Sequence, residues 1–284
     1  MTSRIILKNR LSENVYRMRL SAPLIARSRR AGQFVILRAD AERGERIPLT
    51  IADADVESGT IDVVFQCVGV STARLAQLEV GDELADLVGP LGRPTEIPGG
   101  DGAVVIVGGG IGVAPAHPIA QAMRAAGHRV ISIVGARTRD LLIMEDEMRA
   151  ASDELIVVTD DGSYGRKALV TEPLKEILAA AARPGGGSGV ELVVVIGPPV
   201  MMKFCALATK PFAVKTIASL NAVMIDGTGM CGGCRVSVGG ETKFVCVDGP
   251  EFDAHAVDFD NFILRLGAFK NEEREHRCRS GLFN

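Results

Sequence analysis

Four residues constrain the folding of this chain more than any others. Asp226, Cys231, Cys234 and Cys246 follow the spacing D-x4-C-x2-C, then eleven residues, then C. Plant-type [2Fe-2S] centres are held by C-x4-C-x2-C and a later cysteine. Here an aspartate stands in the first position, and its carboxylate is a hard oxygen donor of the kind ferric iron accepts. Gly227, Gly229, Gly232 and Gly233 let the backbone wrap closely and aim N–H groups at sulfur. Two other chemistries share the pattern. A C-x2-C with one more cysteine and an aspartate fits zinc, and a C-x2-C alone fits a redox dithiol. Asp226, standing before Gly-Thr-Gly, also suits a plain turn.

A chain of 284 residues with 47% hydrophobic content has room for two or more domains, each with its own core. A net charge of −3 does not point to nucleic acid as a partner. Six cysteines in this length do not suggest a disulfide framework, and thiolate ligands fit the reducing cytoplasm. The first residues, Met-Thr-Ser-Arg-Ile-Ile-Leu, have no apolar signal core. The apolar runs Ala103–Val107 and Val190–Ile196 are short and end at glycine, so they are expected as buried strands and not membrane spans.

Residues 1–98 are β-rich, with short apolar or alternating runs at Ile5–Leu7, Val15–Leu20, Phe34–Leu37, Ile61–Phe65 and Glu83–Leu87. Regular short strands predict an antiparallel barrel, broken by a helix over Thr72–Leu78. Two pieces carry chemistry. The first, Arg46-Ile-Pro48-Leu49-Thr50, offers a guanidinium for a pyrophosphate and a hydroxyl that can hydrogen-bond a flavin nitrogen. The second, Gly69-Val-Ser71-Thr72, opens the helix with N–H groups and hydroxyls for the same anion. Arg46 as a solvated strand end and Ser71 as a helix cap are the plain alternatives. With 4% aromatic residues and no Trp, few rings are available to stack on a flavin.

From 101 to 220 strand and helix alternate, which predicts a doubly wound parallel sheet. The strand Ala103–Val107 runs into Gly108-Gly109-Gly110-Ile111-Gly112-Val-Ala114-Pro115 and a helix to about Ala126. A glycine turn between strand and helix brings backbone N–H groups to a pyrophosphate. Read from Gly110 it is G-x-G-x-x-P and not the usual G-x-G-x-x-G. Further strands are expected at Val130–Val134, Leu155–Val158 and Glu191–Ile196, a helix over Leu169–Ala182, and a flexible connection at 184–189. Asp160-Asp161-Gly162 and Gly197-Pro198 follow strand ends, where ligands sit in such sheets. Arg137 and Arg139 follow another and are expected to be solvated. Residues 221–284 form a small cluster domain with a charged tail, Glu272–Arg279. Cys67 and Cys205 are expected in the core. The four histidines show no ligand spacing, and no side chain is assigned a catalytic role.

The order barrel, nucleotide domain, cluster resembles the ferredoxin–NADP reductase superfamily. Within it the chain is similar to the electron-transfer subunits of dihydroorotate dehydrogenase, through Cys246-Val-Asp-Gly-Pro-Glu-Phe252. It is more similar still to the small subunits of NADH-dependent reduced ferredoxin:NADP oxidoreductases and of the related sulfide dehydrogenases. Arg46–Asp53, Gly89–Gly92, Gly108–Pro115, Gly135–Thr138, Thr159–Gly165, Gly197–Lys203 and Asp226–Phe252 carry that likeness, and the aspartate in the first ligand position favours it. The resemblance implies FAD beside Arg46, Pro48, Leu49, Thr50, Gly69, Ser71 and Thr72. It places NAD(H), with NADP(H) as the alternative, on Gly108–Pro115, Asp160–Gly162 and Gly197-Pro198. A [2Fe-2S] cluster would sit on Asp226, Cys231, Cys234 and Cys246. It also implies an electron-transfer role, with a larger flavoprotein partner that carries [4Fe-4S] clusters and the NADP(H) site and connects to ferredoxin, and electron bifurcation in that partner. In the superfamily the arginine stands three residues before the Ser/Thr; here Ile47 holds that place and Arg46 lies one earlier. A zinc-stabilised nucleotide-binding regulator is the reading from another class.

Overall fold

The computed structural model describes residues 3–182 and 189–282. The connection expected at 184–189 lies, except for Gly189, outside them. The first strands are β1 (Ser3–Ser12), β2 (Val15–Ser21), β3 (Phe34–Arg38), β4 (Ile47–Asp55), β5 (Thr60–Gln66), β6 (Glu83–Leu84) and β7 (Asp86–Leu91). They form one antiparallel sheet in the order β6-β1-β2-β5-β4-β3-β7. Its two edge strands, β6 and β7, are separated only by Ala85, so the sheet curls round into a nearly closed barrel and leaves little free edge. Inside lie Met18, Leu20, Leu37, Ile51, Ile61, Val63 and Phe65, all buried. Helices α1 (Pro23–Ser28) and α2 (Val70–Gln77) interrupt the strands. Strand β4 was not anticipated. Its Pro48 removes a backbone donor, which argues against a strand from sequence. The strand forms because Ile36 and Leu37 of β3 pair with Pro48 and Ile47.

The second sheet contains β8 (Ala103–Gly109), β9 (Val130–Ala136), β10 (Glu154–Thr159), β11 (Arg166–Lys167), β12 (Val190–Ile196) and β13 (Lys215–Ser219). Its order is β11-β10-β9-β8-β12-β13, all parallel. Every residue of β8 is buried, as expected for a central strand covered on both faces. Helices α3 (Val113–Ala125), α4 (Glu145–Ala150), α5 (Thr171–Ala181) and α6 (Pro199–Thr209) accompany the strands. The sheet grows in opposite directions from β8 and β12, so their C-terminal ends form the switch point where such sheets bind ligands.

After Asn221 come β14 (Arg235–Val238), β15 (Glu241–Phe244), α7 (Val245–Asp248), β16 (Glu251–Asp253), α8 (Phe259–Leu266) and α9 (Lys270–Ser280). Strands β14 and β15 form a hairpin. Strand β16 instead pairs antiparallel with β13 and becomes the outer edge of the parallel sheet. The C-terminal segment is also clamped to the barrel. Arg93 N–H donates to the Gly249 carbonyl at 2.7 Å, and its guanidinium donates to the Val247 carbonyl and pairs with Asp248 at 3.5 Å. One continuous core runs from Phe34 and Ile36 through Val105 and Val107 to Cys234 and Cys246.

Candidate functional site

The cysteine-bearing loop is built from the aspartate upward. Asp226 Oδ1 accepts from Thr228 N–H at 3.1 Å and its Oδ2 from Cys231 N–H at 3.0 Å. The Thr228 N–H, with help from Cys231, holds this carboxyl below the ordinary aspartate range. So Asp226 does form a turn, and the same turn brings its Oδ1 to 3.4 Å from Cys231 Sγ. The second pair is Cys234 and Cys246, whose sulfurs lie 3.2 Å apart. Gly233 N–H approaches Cys231 Sγ at 3.5 Å, and Cys246 N–H approaches Cys234 Sγ at 3.4 Å. Such N–H···S contacts are the surroundings that tune a cluster. A β-carbon on Gly227 would sit 2.7 Å from Ile36 Cγ1, so only glycine lets the loop rest on the barrel wall.

These donors fit two irons better than one zinc. They fall into two close pairs, Asp226 with Cys231 and Cys234 with Cys246, one pair for each iron of a two-iron centre. A structural zinc needs four ligands on one centre. Burial, then the neighbouring Cys234 thiol, pushes Cys246 up to about 12. Without metal it remains a thiol, so metal entry must displace its proton.

A cleft of about 1400 Å³ opens between the two sheets. That exceeds the roughly 300–1,000 Å³ of an ordinary single-ligand pocket, leaving room for two bulky groups. One wall is Pro48, Leu49 and Thr50 of β4 with Val64 and Gln66 of β5; the other is Gly109, Gly110, Ile111, Gly112, Ala114 and Pro115. Gly197, Pro198, Arg137 and Asp160 close the end. Gly108 lies buried just behind the loop, where a β-carbon would meet Val113 Cα at 3.1 Å. A β-carbon on Gly112 would collide with the Ile196 carbonyl, so the loop and β12 approach more closely than any other residue permits.

Several expected residues lie elsewhere. Arg46, half exposed, donates to Asp86 at 3.2 Å and does not line the cleft. Thr72 Oγ1 accepts from Gly69 N–H at 3.0 Å as a cap of α2. Ser71 Oγ donates to Glu45 at 2.9 Å, so the Arg46 stretch and the α2 N-terminus do meet, with the Glu45 carboxylate between them. Asp161 accepts from Ser163 Oγ and N–H, which lower its pKa and fix the turn at Gly162. Arg137 is exposed and also lines the cleft, while the exposed Arg139 guanidinium lies 5.4 Å over the Tyr164 ring. Cys205 is buried, and its thiol is pushed up to about 12 by burial; Cys67 is half-buried, and Cys278 is exposed on α9.

Met201 and Phe204 of α6 also line the cleft and were missed. Pro198-Pro199 was their signal, since proline favours the first position of a helix. Gln66, at the end of β5, had no signal in the sequence.

Residues 221–258 match the iron–sulfur cluster binding domain of dihydroorotate dehydrogenase B, and residues 106–206 match the oxidoreductase NAD-binding domain. The dihydroorotate dehydrogenase B (NAD(+)) electron transfer subunit homolog of Thermotoga maritima is 43% identical, over 95% of this chain and 92% of that protein. The electron transfer subunit of Geobacillus kaustophilus is 35% identical, over 87% and 94%. A chain of an NADH-dependent reduced ferredoxin–NADP oxidoreductase, solved for insight into flavin-based electron bifurcation, superposes with a TM-score of 0.89 and 42% identity over 98% of both chains. The ferredoxin reductase of a carbazole dioxygenase, at 19% identity and a TM-score of 0.62, shares the fold. With its barrel, nucleotide sheet and paired metal donors in one polypeptide, this chain belongs to the family of dihydroorotate dehydrogenase B electron-transfer subunits and their homologues.

Proposed function

We propose that this chain moves electrons between NAD(H), FAD and a [2Fe-2S] cluster and delivers them to a larger flavoprotein subunit. One observation carries the reading. A single cleft is walled by Pro48–Thr50 on one side and by the Gly109–Pro115 loop on the other, and the thiol-bearing loop rests on the same barrel. When bound, NADH supplies a hydride, FAD accepts its two electrons and passes them on singly, and the cluster carries one at a time. The protein provides place and potential. In this reading Pro48, Leu49 and Thr50 hold the flavin ring, and the glycine loop and Gly197-Pro198 hold the nucleotide. Asp226 and Cys231 take one iron, Cys234 and Cys246 the other. The division into a flavin barrel (1–98), a nucleotide domain (101–220) and a cluster domain (221–284) follows from it.

Met230 and Ile225, flanking the ligands, are 88% and 61% exposed. Apolar side chains this bare beside a redox centre suit docking by a partner. The 42% identity along both full chains, against 35% to the Geobacillus kaustophilus subunit, supports a partner of the bifurcating ferredoxin:NADP type, with [4Fe-4S] clusters and contact with ferredoxin; the 43% identity to the Thermotoga maritima homolog supports a dihydroorotate- or sulfide-oxidising one as the second reading. The six free cysteines suit a cytoplasmic setting. Among the described residues no helix is long and apolar enough to cross a membrane.

The test is anaerobic purification followed by a visible spectrum and counts of iron, acid-labile sulfide and flavin. Flavin bands near roughly 450 nm that bleach with NADH, over broad cluster absorption, support the reading. Colourless protein, or zinc in place of iron, overturns it. The identity of the co-purified larger chain separates the partner classes.

A further inference from the structure

His117 is buried in the wall between the barrel and the nucleotide sheet, only 4% exposed. Around it apolar side chains meet, Val15, Ala52 and Val64 of the barrel with Val113, Ala114, Ala116 and Ala120 of α3, and the Glu147 carboxylate, paired with Arg17, is the charged group within electrostatic reach. A buried imidazole in such surroundings must find a partner. Its Nδ1 lies 3.1 Å from the Ala52 carbonyl oxygen. Since the carbonyl only accepts, Nδ1 carries the proton.

The acceptor is placed there by an irregularity in β4. Ile51 pairs with Val63 and Asp53 with Asp62, so two steps along β4 oppose one along β5, and Ala52 is the extra residue of a β-bulge. Bulges take a residue out of ladder register and re-aim it. Ala52 lies two residues beyond Thr50, on the cleft's barrel wall. His117 lies two residues beyond Pro115, on its nucleotide wall. This hydrogen bond therefore ties the two walls together two residues from the cleft on each side, next to the packing of Val64 and Ala114. The Arg17–Glu147 pair, 2.6 Å long, also bridges the units; it joins β2 to α4 beside His117, and neither of its residues lines the cleft.

We propose that His117 is a positioning residue for hydride transfer: its Nδ1–H···O=C bond to the bulged Ala52 sets the spacing between the flavin wall and the nucleotide wall. The proposal rests on the FAD and NAD(H) reading of the cleft. A displacement of about 1 Å between reacting groups costs on the order of a hundredfold in rate, so a lock on that spacing acts on the rate and not on the affinity of either group.

The test compares His117→Leu, which fills the space without a donor, with His117→Asn, whose amide nitrogen falls at the Nδ1 position, and His117→Gln, whose nitrogen falls one atom further out. In the anaerobic full chain, stopped-flow reduction by NADH is expected to slow about tenfold to a hundredfold in His117→Leu and His117→Gln. It should recover to within about threefold in His117→Asn. Flavin content, cluster signal and the NAD+ dissociation constant should stay near wild type. Nitrogen NMR of the full chain should show His117 protonated at Nδ1. An Nδ1 without a proton, unchanged reduction in both His117→Leu and His117→Gln, or equal slowing in His117→Asn and His117→Gln overturns the proposal. If His117→Leu does not fold, the Asn and Gln variants still decide. If wild-type protein is not reduced by NADH at all, it is the reading of the cleft that fails, while the NMR result still judges the hydrogen bond.

Discussion

Asp226 shows how one side chain serves two ends. Its oxygens accept two backbone N–H groups and still lie beside Cys231 Sγ. A carboxylate has about four lone-pair sites, enough for both tasks. Replacing Asp226 by Ala should therefore lower cluster occupancy by about tenfold or more while flavin content is unchanged. Iron counts and the paramagnetic signal on reduction check this; an unchanged signal would remove Asp226 from the ligand set. Asp226→Cys should keep a cluster but move its midpoint, because sulfur donates more charge than oxygen. An identical redox titration would refute the tuning role. The grouping of Asp226, Cys231 and Cys234 was readable from the sequence because the three share one loop, and Cys246 returns to them through the short β14–β15 hairpin. The role of Glu45 at Ser71 was not, since it depends on how two distant segments meet.

At the scale of elements, close approach dominates. The glycine loop ends against β12, and a side chain at Gly112 meets the Ile196 carbonyl, which cannot swing aside. Gly112→Val should raise the dissociation constant for NADH at least about tenfold, a cost near 1.4 kcal/mol. Flavin should remain bound. Calorimetric titration gives the answer, and wild-type affinity would dissociate the loop from nucleotide binding. The strand-to-helix alternation that placed this loop was legible because β8 and α3 carry their own periods. The bulge at Ala52 and the pairing of β16 with β13 were not, because both are fixed by partners far along the chain. Strand β16 also carries Glu251, whose carboxyl accepts from Thr95 Oγ at 2.6 Å. Burial pushes it up to about 7. An acid with a raised pKa takes up a proton on folding, so its ionisation destabilises the fold. Between the unfolded carboxyl value, about 4.3, and about 7, stability should therefore fall as pH rises, by at most about 3 kcal/mol. Glu251→Gln should flatten that slope in denaturant titrations; an equal slope in both proteins would assign it to another group.

For the whole molecule, the proposed reading makes the barrel wall the path between cleft and thiol loop: Ile36, on which Gly227 rests, pairs with Pro48 of the cleft. In that reading the loop's outer rim is Met230, at 88% the most exposed large apolar side chain among the described residues. Met230→Asp should weaken association with the larger subunit by roughly ten- to a hundredfold, as for a residue central to an interface. NADH-driven reduction within this chain should continue. Sedimentation or surface-binding measurements with the purified partner report it, and undiminished affinity would move the contact elsewhere. The edge strand β16 has a consequence for ancestry and for engineering. A transplant of the metal-carrying tail from a distant cousin would bring its own hem for the parallel sheet, stitched to a seam it never matched. Such hybrids should be inherited or built with the nucleotide half and the tail cut from the same cloth.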